Sequence, residues 1–479
     1  MNSIHKIVKN TSMLFIAQII GYILLFFIAM YTARYLGTNG FGNLSIALAL
    51  TGIFGIFTDL GIGLLSIRNI ARDLSLKDKY ITNILLIKFF LSILTFGLIM
   101  VTVTIFNYPG DIKLLIYLIA ISTIINAFSS PFNATFQAYE KMEIPAISSI
   151  ISNVIVFSGV FVAIYFNKDI FFFALLYIIS SLACLLFNFM VYVWNFSFPL
   201  ANIDLKLWKY IINDAWPFAL MGISASIYLW IDSLLLSIMV SSEAVGIYNS
   251  AYRILMILYV IPAIFIAALF PVMSKHFKTA KDLLKIEYEK AFKYLAITSI
   301  FIFINGILFA ENIIKLIFGN EYLSSILILQ ILMLSVPIIF LNSLSGNILA
   351  ATNKQRFLSI VAILNALLNV TLNLFLIPKY SYIGASVVTV LTEVLGFSLT
   401  FLYINKSFFK ISVNEYIFKP LLVGFVSAIL IYYLKLALPW FFAGIIGLFL
   451  YLTILFVFKL INEEDKNLFK QILRGDINE

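Results

Sequence analysis

Residues 170–195, IFFFALLYIISSLACLLFNFMVYVWN, run without one charged side chain. A helix rises about 1.5 Å per residue, so a run of this length crosses the hydrocarbon of a bilayer. In lipid the backbone must satisfy its own hydrogen bonds, which leaves helices and closed barrels as spanning structures. A barrel strand needs a short apolar and polar alternation, and this run has none. It reads as a transmembrane helix.

Working outward, similar runs fill most of the 479 residues. Spans are expected at 11–35, 43–66, 84–106, 114–138, 145–167, 170–195, 211–239, 247–274, 291–310, 325–351, 358–378, 384–405, 418–438 and 440–461. The composition agrees, with 62% hydrophobic and 11% charged residues and a mean hydropathy of +1.04. A water-soluble globular domain lies far from these values. The expected fold is an all-α integral membrane protein of about fourteen transmembrane helices with short connections. The polar start MNSIHKIVKN shows no small-residue cleavage site, so the first run is read as a retained helix.

Basic residues cluster on alternate sides of these spans. Lys6 and Lys9 precede helix 1; Arg68, Arg72, Lys77 and Lys79 follow helix 2; Lys275, Lys278, Lys281, Lys285 and Lys290 follow helix 8. Lys459, Lys466, Lys470 and Arg474 lie in the tail, while the opposite loops carry about one each: Arg34, Lys113, Lys168, Lys315, Lys379 and Lys435. Basic loops stay on the cytoplasmic side, so both termini are expected there, in a cell or inner membrane. The net charge of +9 then serves orientation and suits anionic lipid; nucleic acid need not be invoked. The single cysteine, Cys184, sits within a span and reads as packing.

The chain repeats itself. At an offset of 204, YLGTNGFGNLSIALAL aligns with MVSSEAVGIYNSAYRI, matching Gly42 with Gly246 and Ala47 with Ala251. At an offset of 213, FQAYEKMEIPAI aligns with LAATNKQRFLSI, matching Ala138 with Ala351 and Lys141 with Lys354. The identities are few, but they recur at corresponding helices. This predicts two parallel six-helix lobes, 1–205 and 206–410, around a central cavity, with two C-terminal helices in 411–479. Six is even, so the halves relate by an axis along the membrane normal, as in many secondary transporters.

Four stretches carry a family resemblance: NTSMLFIAQIIGYILLFFIAMYTARYLGTNGFGNLSIA, DLGIGLLSIRNIARD, IDSLLLSIMVSSEAVGIYNSAYRI and AATNKQRFLSIVAILNALLNVTLNLFLIPKYSYIGASVVTVLTE. Together they resemble the polysaccharide transporter, or Wzx-type flippase, family of the multidrug, oligosaccharidyl-lipid and polysaccharide exporter superfamily. The resemblance covers about helices 1 to 12. It implies movement of a polyisoprenyl-pyrophosphate-linked oligosaccharide from the inner to the outer leaflet, for assembly of O-antigen, capsule, teichuronic acid or a similar glycan. A polysaccharide polymerase or glycosyltransferases are the partners that this setting implies, beside membrane lipid.

Such a cargo needs cations for its diphosphate, polar groups for its sugars and an opening to lipid. Ionisable residues inside apolar runs are costly and mark candidate sites. Arg34, Lys88 and Arg253 are the diphosphate candidates, since guanidinium forks and compact ammonium charges both suit phosphate oxygens. Arg34 at a helix end also fits snorkelling to headgroups, and Arg253 also fits an ordinary salt bridge. Arg68 and Arg72 share a helical face and suit a cytoplasmic entrance or topology-setting charge. Asp59, Asp232 and Glu393 interrupt apolar runs and are candidates for H⁺ or Na⁺ coupling.

Asn365 and Asn369 lie one turn apart, with Asn373 continuing the face. They suit a sugar cavity or interhelical hydrogen bonding. Trp230, deep in helix 7 beside Asp232, is the one tryptophan placed to stack on sugar; the others suit the interfacial belt. Gly61 and Gly63 after Asp59, and Pro262 and Pro337 within helices, predict bends, whereas Pro217 is expected to start helix 7. The Lys-rich stretch after helix 8 reads as a surface helix or an amphipathic connector.

Enzyme signatures are missing. The two histidines, His5 and His276, fall outside the expected spans, no Cys and His spacing suggests a metal cage, and no GxxxxGK(S/T) phosphate loop appears. No bound cofactor is implied. A membrane glycosyltransferase or polymerase would call for a larger extramembrane domain. Within the superfamily the rivals are a drug/cation antiporter, which favours acidic and aromatic cavity groups, and a flippase for the peptidoglycan lipid precursor.

Overall fold

The computed structural model describes residues 3–196, 198, 202–412 and 414–460. Lys466, Lys470 and Arg474 of the tail lie outside these residues, and the side chains of His5, Lys6, Lys9, Lys278 and Lys281 are likewise outside the description. Among the described residues every regular element is helical.

The first half holds α1 (Ser3–Gly55), α2 (Ile62–Arg72), α3 (Lys77–Ile105), α4 (Gly110–Ala138), α5 (Glu143–Tyr165), α6 (Ile170–Phe196), α7 (Leu205–Met239) and α8 (Ser242–Leu258). There follow α9 (Val260–Thr279), α10 (Lys281–Leu308), α11 (Ala310–Ile317), α12 (Ser325–Met333), α13 (Ser335–Ala351), α14 (Gln355–Ser407), α15 (Lys419–Ala437) and α16 (Trp440–Val457). Among the described residues eleven helices are long and apolar enough to cross a membrane, or twelve when α12 and α13, bent by 41°, count as one span. Fourteen is reached only by counting α1 and α14 twice. Each is 53 residues long and leaves helical geometry inside, α1 at Gly37 with φ 67° and α14 at Ser381 with φ 52°.

The prolines act as their chemistry dictates. A proline has no N–H for the carbonyl four residues earlier, so the helix ahead of it tends to stop at that carbonyl. Leu258, four before Pro262, ends α8, and Met333, four before Pro337, ends α12. Pro217 is a correction: it lies inside α7 rather than at its start. Asp204 caps that helix earlier, accepting from the N–H groups of Lys206 and Leu207. The Lys79 ammonium, 2.7 Å away, and then the Leu207 N–H hold its carboxyl below the usual range. Asn83, fully buried in α3, secures the same junction: its Oδ1 accepts from the Asp204 N–H and from Trp208 Nε1, both at 2.8 Å.

The chain packs as two compact units. One comprises Met1–Val260, Phe318–Ser325 and Ala362–Val388; the other comprises Ile261–Ile317, Ile326–Val361 and Thr389–Glu479. These units sort the chain by packing, whereas the expected boundaries at 205 and 410 are drawn from the aligned stretches of sequence. In the second unit α10 packs on α13 and α15, and α15 on α16. Tyr451 donates to the Ile297 carbonyl at 2.8 Å and Lys435 to that of Leu308 at 2.6 Å, which ties the last two helices to α10. The Lys-rich stretch after helix 8 is helical throughout except at Ala280, and His276 Nδ1 meets Glu287 Oε1 at 2.7 Å across that junction.

In the first unit α1 lies against α4, α5, α7 and α8. Its crossing with α8 is a close backbone approach. A Cβ on Gly42 would overlap the Ser242 carbonyl, and one on Gly246 would overlap the Thr38 carbonyl. Thr38 and Ser242 stand at the same offset of 204 as the two glycines. The contact is therefore reciprocal between the two aligned stretches. Small residues permit such approaches between membrane helices.

Candidate functional site

The second expected span does not continue to 66. α1 ends at Gly55, one 3₁₀ turn covers Ile56–Thr58, and Leu60 and Gly61 take φ of 44° and 77° before α2 begins. Gly61 suits this left-handed position, and it also presses on α7, where a Cβ would crowd Phe218 and Ala219. A helix interrupted within an apolar region exposes carbonyls that need partners. Lys88 of α3 supplies one: its Nζ lies 2.6 Å from Asp59 Oδ1 and 3.3 Å from the Thr58 carbonyl. The other Asp59 oxygen accepts the Gly63 N–H at 3.3 Å. Lys88 is 1% exposed, whereas the Asp59 side chain is 31% exposed.

Asp59 and Lys88 line a cavity of about 450 Å³ within the first unit. Thr51, Gly52, Ser122, Thr123, Asn126, Ser130, Tyr177 and Trp230 are also on its wall. The indole of Trp230 reaches the wall because position 52 is glycine, where a Cβ would stand 2.6 Å from Nε1. The site thus combines one ion pair with a buried ammonium and a half-buried carboxylate, two aromatic rings and a rim of hydroxyl and amide groups. Of the residues that sequence reading proposed, the fold brings Lys88, Asp59 and Trp230 together. Tyr177 and Gly52 were missed, since neither an aromatic nor a glycine stands out in apolar helices.

Arg253 of α8 is partly buried, and its Nε is buried without a hydrogen-bond partner. Its Nη1 lies 3.9 Å from Met256 Sδ, and its electrostatic neighbours are the hydroxyls of Tyr177 and Tyr252. Tyr177 is shared with the cavity wall. Among the described residues no carboxylate pairs with Arg253, so the salt-bridge alternative is not what the fold provides.

A second polar cluster centres on Asp232, which is 6% exposed in α7. Tyr248 donates to its Oδ2 at 2.7 Å and Asn373 Nδ2 to its Oδ1 at 2.6 Å. Asn373 also donates to Asn369 at 3.0 Å. Asn369 thus stands in a buried hydrogen-bond chain, and Asn365, 9% exposed, leaves its Oδ1 without a partner. Glu393 is buried in the second half of α14.

The remaining cations lie elsewhere. Arg34 is exposed on α1. Arg68 meets Asp214 at 3.5 Å and lies over the Phe218 ring at 5.8 Å, while Arg72 is exposed in the last turn of α2. None of the three lines the cavity. Cys184 is buried and donates to the Ser148 carbonyl, which is a packing role.

The family described as polysaccharide biosynthesis protein matches residues 7–277, and the MatE family matches residues 217–375. The capsular polysaccharide biosynthesis protein CapF of Staphylococcus aureus is 25% identical over 417 residues, covering 84% of this chain and 100% of its own length. A putative O-antigen transporter of Shigella dysenteriae is 28% identical over 411 residues, covering 81% of this chain and 97% of its own. Among solved structures the lipid II flippase MurJ, in its inward closed conformation, matches with a TM-score of 0.77 at 17% identity, over 94% of this chain and 98% of that one. At that identity the likeness speaks for the fold alone.

Proposed function

The chain belongs to the polysaccharide biosynthesis protein family, within the multidrug, oligosaccharidyl-lipid and polysaccharide exporter superfamily, and on that premise we propose that it is a flippase for polyisoprenyl-diphosphate-linked oligosaccharide. The cargo moves from the inner to the outer leaflet of the cell membrane by alternating access, and both termini lie in the cytoplasm. The observation that carries this reading is Lys88, an ammonium buried to 1% exposure whose partner Asp59 sits on a cavity wall. Lys88 exchanges Asp59 for a phosphate oxygen when the cargo enters. A charge-assisted bond to phosphate replaces one to carboxylate, so the ammonium is never left bare. Trp230 and Tyr177 offer apolar faces to sugar, and Arg253 supplies a second cation beside Tyr177.

The acidic and aromatic groups on the same wall favour the drug/cation antiporter as a second reading, because Asp59 would attract an organic cation. Lys88 already neutralises that carboxylate, which leaves no net negative charge in the pair. The flippase reading therefore ranks first.

Deleting the gene should accumulate polyisoprenyl-diphosphate oligosaccharide on the cytoplasmic leaflet, with relief by wild type and at least about tenfold less by Arg253→Ala, the loss expected for one charge-assisted bond. Unchanged sugar lipid with altered drug efflux would transfer the assignment to the antiporter.

Coupling to H⁺ or Na⁺ rests on Asp59, Asp232 and Glu393. Glu393→Gln and Asp232→Asn should each be compared with wild type across a pH series and a Na⁺ series. Loss of the ion dependence in one of them assigns coupling to that carboxylate; unchanged activity and ion dependence in both removes Asp232 and Glu393 from coupling and leaves Asp59 as the remaining candidate.

A further inference from the structure

Beside the charged cavity lies a second one of about 330 Å³ with no charged residue on its wall. α4 contributes Asn126, Ser129, Ser130 and Asn133, spaced so that all four share one helical face. α5 answers with Ser148, Ser149, Ser152 and Asn153, again one face. Pro145 and Cys184 complete the lining. Asn126 and Ser130 line both cavities, so the two spaces adjoin.

Polar residues facing each other in a membrane bundle commonly bond to one another. Here most do not. Asn188, fully buried on α6, donates to Ser129 and Ser148 at 2.7 and 3.0 Å, and so fixes the floor of the cavity. Its own Oδ1 is buried without a partner, as is Asn133 Oδ1 on the wall. Ser149 and Asn126, which are exposed, and Ser152 and Asn153, which are half-buried, make no side-chain hydrogen bond among the described residues. Buried polar atoms are expected to be hydrogen-bonded, so the two unpartnered amide oxygens of Asn133 and Asn188 point to an occupant that supplies the bonds.

We propose that this cavity is a subsite for an uncharged sugar of the cargo, such as an N-acetylhexosamine. The inference rests on the flippase reading above and names the sugar class it favours. Amides and hydroxyls both donate and accept, which matches sugar hydroxyls and an acetamido group. A uronic acid would bring a carboxylate against a wall that offers no cation, and an unpaired buried charge is strongly disfavoured. The adjoining ion pair takes the diphosphate and this cavity takes the sugar.

The test uses the full-length protein in nanodiscs, three lipid probes (a polyisoprenyl diphosphate bearing one N-acetylhexosamine, the same lipid bearing one hexuronic acid, and the bare polyisoprenyl diphosphate) and the free N-acetylhexosamine as a control. The first should bind at least about tenfold more tightly than the other two, the gain expected from one or two well-formed hydrogen bonds. Ser149→Ala/Ser152→Ala, which removes two hydroxyls with no partner among the described residues, should erase that advantage and leave the bare lipid's affinity as it was. Retained affinity for the bare lipid also shows that the variant is folded. Equal binding of bare and N-acetylhexosamine lipids by wild type, or a preference for the uronic acid, would overturn the subsite while leaving the flippase reading in place. Binding of the free N-acetylhexosamine as tightly as its lipid-linked form would make this a site for free sugar and overturn the cargo subsite. Failure of all three lipids to bind would instead remove the flippase reading on which the subsite depends.

Discussion

Asp59→Asn is expected to destabilise the protein by about 3–5 kcal/mol, because it leaves an ammonium in a position that is 1% exposed with neutral acceptors, the Thr58 carbonyl and the new amide oxygen, and without its counter-charge. Lys88→Met should cost less, since Asp59 keeps the Gly63 N–H and its side chain is 31% exposed at the cavity. The double variant Asp59→Asn/Lys88→Met should recover much of the loss, as removing both members of a buried pair often does. Thermal unfolding of the four proteins in one detergent measures the cycle. Transport separates structure from function. If Lys88 binds the diphosphate, the double variant is stable and inactive; if it transports at the wild-type rate, the pair merely seals the broken helix and the cargo's cation lies elsewhere.

The other large effect is expected at the crossing of α1 and α8. Gly42→Ala and Gly246→Ala each place a methyl group onto a backbone carbonyl of the facing helix. No side chain can swing aside there, so the helices must separate. Overpacking of this kind costs about 1–3 kcal/mol in well-packed interiors, and a clash with backbone belongs at or above the upper end. The two substitutions strain one crossing, so together they should cost less than the sum of their separate effects. Gly97 in α3 and Gly346 in α13 have nothing within 4 Å of a built Cβ, and alanine there should leave stability unchanged or slightly raised. Equal melting temperatures for Gly42→Ala and Gly97→Ala would contradict the packing described here.

Much of the fold was legible because lipid restricts it. Apolar length sets the helices, and proline chemistry sets the breaks at Leu258 and Met333. The weak identity between Gly42 and Gly246 marked a real constraint, because only glycine lets both carbonyls approach. Hydropathy separates 11–35 from 43–66 and 358–378 from 384–405, but it does not show that the backbone stays helical on both sides of the bends at Gly37 and Ser381, which is why α1 and α14 each reach into two of the expected stretches.

The site was legible only in its costly members. Lys88, Asp59 and Asp232 stood out as charges inside apolar runs, but pairing is a property of space. Lys88 and Asp59, read separately as a phosphate ligand and a coupling carboxylate, are each other's partners. Arg34, Arg68 and Arg72 drew the same notice because charge is visible in sequence and direction is not. The serines of α4 and α5 drew none, since serine is common in membrane helices and its meaning here comes from two faces meeting across a cavity.

The most direct test of the central claim is translocation by the purified protein in liposomes. A polyisoprenyl-diphosphate oligosaccharide with a labelled sugar would be placed in both leaflets, and a membrane-impermeant glycosidase would report the outer pool over time. The flippase account predicts that wild type renders nearly all of the label accessible while the stable Asp59→Asn/Lys88→Met variant leaves the inner pool protected. Protection of the inner pool by active wild type, with ion-driven extrusion of an organic cation from the same liposomes, would contradict it.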